Sequence, residues 1–209
     1  MIPLKDNLPS DRLPVVTLLL IAANVVVWFA VEGGGLGHGP DAEPTLASVL
    51  FAHVSLLHLL VDLLFLWLFG SSLEDSMARW RYLLLYLVGG LAGVGLAAAA
   101  GGGSELPAIG ATGAIAALLG GYLLLYPRAR IVSVGFAGTF FTLFELPVWI
   151  MLAAWPALQA LVDATAPAGA LPDGALWLAQ LGGALIGLIA VRPLADRRKR
   201  VPLRVKVAA

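Results

Sequence analysis

The feature that most constrains this chain is a series of six long apolar runs separated by short polar or glycine-rich segments. Each run has about 18–24 residues, and a helix needs roughly 20 apolar residues to cross the hydrocarbon core of a bilayer. The runs lack the alternating pattern of barrel strands, so helices are the elements that can satisfy their backbone polar groups in lipid. We therefore predict an all-α, polytopic membrane protein with six transmembrane helices. The predicted spans are Pro14–Val31, Leu46–Phe69, Trp80–Ala100, Ala108–Tyr126, Glu145–Val162 and Gly174–Leu194.

The composition agrees with this class and excludes others. The chain is 60% hydrophobic and 12% charged, with a mean hydropathy of +0.91, whereas soluble domains carry about 25% charged residues. It has no cysteine, which excludes disulfide bonds and thiolate chemistry. The first run is longer than the apolar region of a signal peptide, and glycines follow it where a cleavage site would be. We expect it to be a retained span.

The apolar stretch from Ile131 to Phe144 is interrupted by Gly135, Gly138 and Thr139. It could extend the fifth helix, or it could form an interfacial or re-entrant loop. A continuous helix from Ile131 to Val162 would be considerably longer than a bilayer is thick, so we expect a loop.

The basic residues predict the orientation. All 13 Lys and Arg residues fall on one side of the six-span arrangement, so both termini are expected in the cytoplasm and the protein in the plasma or inner membrane. The predicted divisions are a cytoplasmic segment 1–13, a membrane domain 14–194 and a basic tail 195–209. The run Arg197–Arg200 is expected to meet anionic lipid headgroups, and no nucleic-acid partner is expected.

Ionisable and polar residues within membrane spans are costly and are therefore candidates for function. His58 and Asp62 are four residues apart in the second span and share a helical face. Thr112 begins the fourth span and Gln180 lies in the sixth. His58, Thr112 and Gln180 lie roughly 8–18 Å below the outer ends of their spans at 1.5 Å per residue. This matching depth predicts a water-filled cavity that opens outward.

Small residues indicate how two of these helices meet. Gly113 and Gly121 lie on one face of the fourth span, and Gly183 and Gly187 form a small-xxx-small pair on the sixth. Such faces let helix backbones approach closely in lipid. We therefore expect a close crossing of the fourth and sixth spans.

Several short motifs occur in a characteristic order. They are the opening MIPLKDNLPSDRLPVVT, the block from Phe51 to Gly70 followed by Glu74-Asp75, the GATGA and YPRAR segments, ELPVW, the Trp155–Gln159 region and AQLGG. Together, over nearly the whole chain, they resemble the rhomboid family of intramembrane serine proteases. The resemblance implies a serine at the start of the fourth helix in a GASG motif and a histidine on the sixth in AHxGG. It also implies that a histidine and an asparagine on the second helix belong to the oxyanion site.

Matching these motifs places Thr112 at the serine position and Gln180 at the position of the dyad histidine. His58 and Asp62 fall at the histidine and asparagine of the oxyanion site, and Gly110 belongs to the same region. Threonine keeps a hydroxyl, but its β-methyl restricts χ1. Glutamine cannot act as a base because its amide does not titrate. We therefore expect no ordinary rhomboid dyad chemistry.

Three functions remain open at this point. The leading hypothesis is an inactive pseudoprotease that binds transmembrane segments of other membrane proteins within the bilayer. The second is an active protease in which Thr112 is the nucleophile, His58 the base and Asp62 its orienting carboxylate. The third is proton or solute conduction through Asp62 and His58. No metal site and no cofactor are expected, and the sequence leaves the oligomeric state undetermined.

Overall fold

The computed structural model describes residues 2–8, 12–32, 46–51, 53–100, 109–137, 140–165 and 174–196. Its helices are α1 (Val15–Glu32), α2 (Leu46–Phe51), α3 (Leu56–Asp75), α4 (Arg79–Ala100), α5 (Thr112–Leu125), α6 (Val148–Thr165) and α7 (Ala175–Leu194). Three strands, β1 (Ile2–Asp6), β2 (Arg130–Ala137) and β3 (Phe140–Pro147), form one antiparallel sheet in the order β1-β2-β3.

The predicted polytopic helical class is confirmed. By length and composition, α3, α4, α6 and α7 can each cross a membrane, while the apolar stretches Val15–Ala30 in α1 and Thr112–Leu125 in α5 are shorter. The bundle encloses a core of apolar side chains and three buried tyrosines, Tyr82, Tyr86 and Tyr122.

The prediction of one helix over Leu46–Phe69 was wrong. The chain leaves the helical conformation after α2, and α3 begins at Leu56 because Ser55 caps it. Ser55 is extended, with φ −158° and ψ 159°, and its side chain accepts a hydrogen bond from the backbone N–H of His58 at 3.1 Å. Serine is among the preferred residues at this position. The helix then continues past Phe69 to Asp75.

The stretch expected to be a loop forms strands instead. In β2, Ile131 and Ser133 are buried while Arg130 is exposed, which is the alternation of a strand with one covered face. The rejection of a helix over this stretch was correct, but β-branched and aromatic residues here favour strands. Pairing with β3 also moves the start of the fifth long helix from the predicted Glu145 to Val148. Glu145 lies on β3, 3.8 Å from the guanidinium of Arg130.

A buried glutamate joins the first long helix to α3. Glu74 accepts hydrogen bonds from the backbone N–H groups of Val16 at 3.0 Å and Thr17 at 2.8 Å, and from the Thr17 hydroxyl at 2.9 Å. These N–H groups lie in the first turn of α1, where they have no partner within the helix. The carboxylate therefore caps α1 from the far end of α3.

Helices α5 and α7 cross at backbone contact distance. A Cβ atom added at Gly183 would lie 1.9 Å from the Gly113 carbonyl oxygen, and one at Gly187 would lie 2.0 Å from that of Ala117. This crossing fixes the start of α5, which carries Thr112, beside the first turns of α7, which carry Gln180.

Candidate functional site

Thr112 and His58 are in direct contact at the N-terminal ends of two helices. The Oγ1 atom of Thr112 lies 2.8 Å from Nε2 of His58, and both side chains are fully buried. The Ser55 cap sets where α3 starts and therefore where His58 projects. Gly110 has a φ of +60°, a conformation that favours glycine, and it turns the chain into α5 immediately before Thr112.

Asp62 stands beside the same nitrogen. Its Oδ2 atom is 3.5 Å from Nε2 of His58 and 3.3 Å from Nε2 of His53, and its Oδ1 accepts a hydrogen bond from Nε2 of Gln159 at 2.8 Å. The Asp62 and Gln159 side chains are buried, so this hydrogen bond joins α3 to α6 inside the bundle.

The position of Asp62 affects which His58 nitrogen carries the proton. A carboxylate next to Nε2 favours a proton on that atom, since an N–H group attracts the negative oxygen and a lone pair repels it. In that tautomer His58 donates to the Thr112 hydroxyl and has no lone pair at Nε2 with which to take its proton. A triad carboxylate bonds the opposite nitrogen, Nδ1, and Nδ1 of His58 has no hydrogen-bond partner among the described residues.

Gln180 is buried on α7, and its Nε2 atom has no hydrogen-bond partner in the described part of the chain. The histidine in short contact with Thr112 is His58, which lies on α3. An amide stands at the position where the resemblance implies the dyad histidine.

Two members of this cluster were missed as partners of Asp62. His53 precedes α3, and its side chain is buried beside Asp62. The missed signal was the Ser55 cap, which starts α3 only after His53 and so takes His53 out of helical register with Asp62. Gln159 is distant in sequence, and nothing in one sequence pairs it with Asp62.

Buried polar atoms without a partner are concentrated around this cluster. Among the described residues they include ring nitrogens of His53 and His58, Oδ2 of Asp62, Nε1 of Trp155, Oε1 of Gln159 and Nε2 of Gln180. Each such atom costs about 1–3 kcal/mol when it stays unpaired. Hydrogen bonds from water or from another molecule with complementary donors and acceptors would remove this cost.

Fold and site together define a polytopic helical membrane protein with a hydroxyl, an imidazole and a carboxylate buried between its helices. The family model described as Rhomboid domain matches residues 44–197, and the chain belongs to the rhomboid family.

Two curated relatives agree with this assignment. Over 142 residues, 66% of this chain, it is 34% identical to the presenilin-associated rhomboid-like protein A, mitochondrial, of Danio rerio, and the match covers 34% of that protein. Over 147 residues, again 66% of this chain, it is 33% identical to rhomboid protein 1, mitochondrial, of Saccharomyces cerevisiae, and the match covers 38% of that protein. The chain thus spans little more than a third of the length of these relatives.

Proposed function

We propose that this protein is a rhomboid-family pseudoprotease that binds transmembrane segments of other membrane proteins and does not cut them. One observation carries the proposal: the His58 nitrogen that contacts Thr112 at 2.8 Å is also the nitrogen beside Asp62. Among the described residues, His58 is the only imidazole in contact with the candidate nucleophile. Its position beside Asp62 favours it as a hydrogen-bond donor and not as a base.

The other substitutions act in the same direction. Hydrolysis through a hydroxyl needs a base that takes its proton and returns it to the leaving group. The Gln180 amide can do neither. An ionised Asp62 would also repel the oxyanion that forms during acyl transfer. In subtilisin, loss of the nucleophile or the base lowers kcat about 10⁶-fold. A rhomboid-family protein with a loss of turnover on that scale can bind a transmembrane segment but does not cut it.

Binding is supported by the unpaired polar atoms around the cluster. Trp155 and Gln159 lie one helical turn apart on the buried stripe of α6, and each has one buried polar atom without a partner among the described residues. A transmembrane segment whose helix is locally unwound exposes N–H and C=O groups that these atoms could satisfy. Such a segment is the partner class we propose.

The test uses the purified protein in detergent with a fluorescent, helix-destabilised transmembrane peptide. Fluorescence anisotropy should report saturable binding, and mass spectrometry should find the peptide intact. Gln159→Leu should weaken binding because it removes the unpaired amide oxygen and the amide that bonds Asp62. Trp149→Ala, an exposed position on the same helix, should leave binding unchanged. Cleavage, or the absence of saturable binding, contradicts the proposal.

A second candidate function is favoured by the 2.8 Å contact between Thr112 and His58. In that case the protein is an active protease with Thr112 as nucleophile, His58 as base and Asp62 as the neighbouring carboxylate. The same peptide should then be cut by the wild type and spared by Thr112→Ala. Equal cleavage by both proteins, or by neither, removes this candidate.

The proposal also includes an arrangement in the membrane. Residues 14–194 form the membrane domain, residues 1–13 and the basic tail 195–209 lie in the cytoplasm, and the membrane is the plasma or inner membrane. The one-sided distribution of all 13 basic residues supports this orientation.

A further inference from the structure

A short apolar groove lies between α4 and α7, and none of its lining residues belongs to the polar cluster. Its volume is about 180 Å³. It is lined only by apolar residues: Leu84, Leu85, Val88, Ile186, Ala190, Pro193 and Leu194. Both helices are long and apolar enough to span a membrane, and Leu84 and Val88 are exposed. In a bilayer this groove therefore opens toward lipid.

The groove ends at a cation. Arg81 precedes Leu84, Leu85 and Val88 by three, four and seven residues, so it lies on the same face of α4. Its guanidinium donates to the Leu194 carbonyl oxygen at 3.2 Å, which holds it at the end of the groove where α7 finishes.

Groups suited to the membrane interface surround this end. The exposed ring of Trp80 lies 5.3 Å from the Arg81 guanidinium, and tryptophan is enriched at headgroup depth. Arg192 occupies the last turn of α7. The opposing charge is Asp196, whose carboxylate lies 3.7 Å from Arg81. Their side chains are 36% and 46% exposed, and an exposed pair of this kind is worth little. A phosphate could therefore replace Asp196 as the partner of Arg81 at little cost.

We infer that the α4–α7 groove is a binding site for an anionic phospholipid. One acyl chain lies along the apolar lining, and the phosphate meets Arg81 beside Trp80. On α7 the lining runs from Ile186 to Leu194, about 12 Å at 1.5 Å per residue. This length suits the part of one acyl chain that is nearest the headgroup. Basic sites between transmembrane helices on the cytoplasmic side recognise anionic headgroups in this way.

The test compares dioleoylphosphatidylglycerol with dioleoylphosphatidylcholine in mixed micelles. The Tm of the wild type should rise more with the anionic lipid, and native mass spectrometry should detect retained phosphatidylglycerol. Arg81→Gln should abolish the difference between the two lipids. Val88→Trp, which fills the groove, should lower retention of both. Because each variant is compared with itself in the two lipids, a change in its basal stability does not affect the result.

Matched controls are Arg128→Gln, which removes another exposed cation, and Val26→Trp, which enlarges an exposed position on α1. Neither should change the lipid preference. A preference that survives Arg81→Gln, or one that Arg128→Gln removes equally, overturns the inference. A dimer that Val88→Trp dissociates would assign the groove to a second copy of this chain and would overturn it as well.

Discussion

At the scale of single residues, the chemistry of this protein depends on what stands beside Nε2 of His58. Thr112 lies at hydrogen-bond distance from that nitrogen, 2.8 Å, and the Asp62 carboxyl at 3.5 Å favours a proton on it, which makes it a donor to Thr112. Thr112 alone would leave a usable nucleophile, because its hydroxyl remains. The loss of function that we propose comes from Gln180 and Asp62, which remove the base and alter the oxyanion site.

Another buried carboxyl, Asp6 on β1, lies outside the membrane-spanning segments, and its environment predicts that stability depends on pH. Burial raises the pKa of Asp6 above its usual value, against the lowering effects of hydrogen bonds from Ser72 and Tyr122 and of the charge of Lys5. A raised pKa means that the fold favours the protonated form. Its contribution to stability is full below the unfolded-state pKa of about 3.9, and it is lost as pH rises through the raised pKa.

We therefore predict that Asp6→Asn flattens the decline in Tm of the detergent-solubilised protein as pH rises through this window. The exposed Glu145 provides the matched control, and Glu145→Gln should leave the profile unchanged. An unaltered pH profile in Asp6→Asn would show that another group is responsible.

At the scale of elements, the bundle depends on glycine where backbones meet and tolerates side chains elsewhere. We predict that Gly183→Ala destabilises the protein by about 2 kcal/mol or more, since overpacking costs typically 1–3 kcal/mol. The added Cβ would lie 1.9 Å from the Gly113 carbonyl oxygen. The control is Gly95→Ala on α4, where nothing lies within 4 Å of the added atom.

Gly95→Ala should be neutral or stabilising by up to about 1 kcal/mol. Unfolding in detergent monitored by circular dichroism compares the two variants. Equal losses of stability in the two variants would contradict the prediction that the close crossing of α5 and α7 excludes a side chain at position 183.

The longer helices were predictable from sequence because each of them contains a long apolar run, whereas the break between α2 and α3 was not predicted. The first, third and sixth predicted spans agree with α1, α4 and α7 to within about two residues, the usual uncertainty of a helix end. The sheet was not predictable in the same way, because β1 and β2 are far apart in the sequence and pair only in the folded chain. The contact between Gln159 and Asp62 was missed for the same reason.

At the scale of the whole molecule, the proposed orientation places the sheet and both termini on one side of the membrane. The chain contains no cysteine, so single cysteines can report this directly. We predict that Thr165→Cys, at the end of α6, reacts with an impermeant maleimide added outside intact cells. Lys5→Cys should react only after the membrane is permeabilised. Labelling of both without permeabilisation would contradict an arrangement of six crossings.

The most direct test of the central claim is the reaction of the detergent-solubilised protein with a serine-directed fluorophosphonate probe. The account predicts no labelling of the wild type. It predicts labelling of the Thr112→Ser, Gln180→His double variant, with Asp62→Asn added if the carboxylate still blocks the oxyanion site. Labelling of the wild type at Thr112 would contradict the account, because it would mean that the hydroxyl is activated without a histidine at position 180.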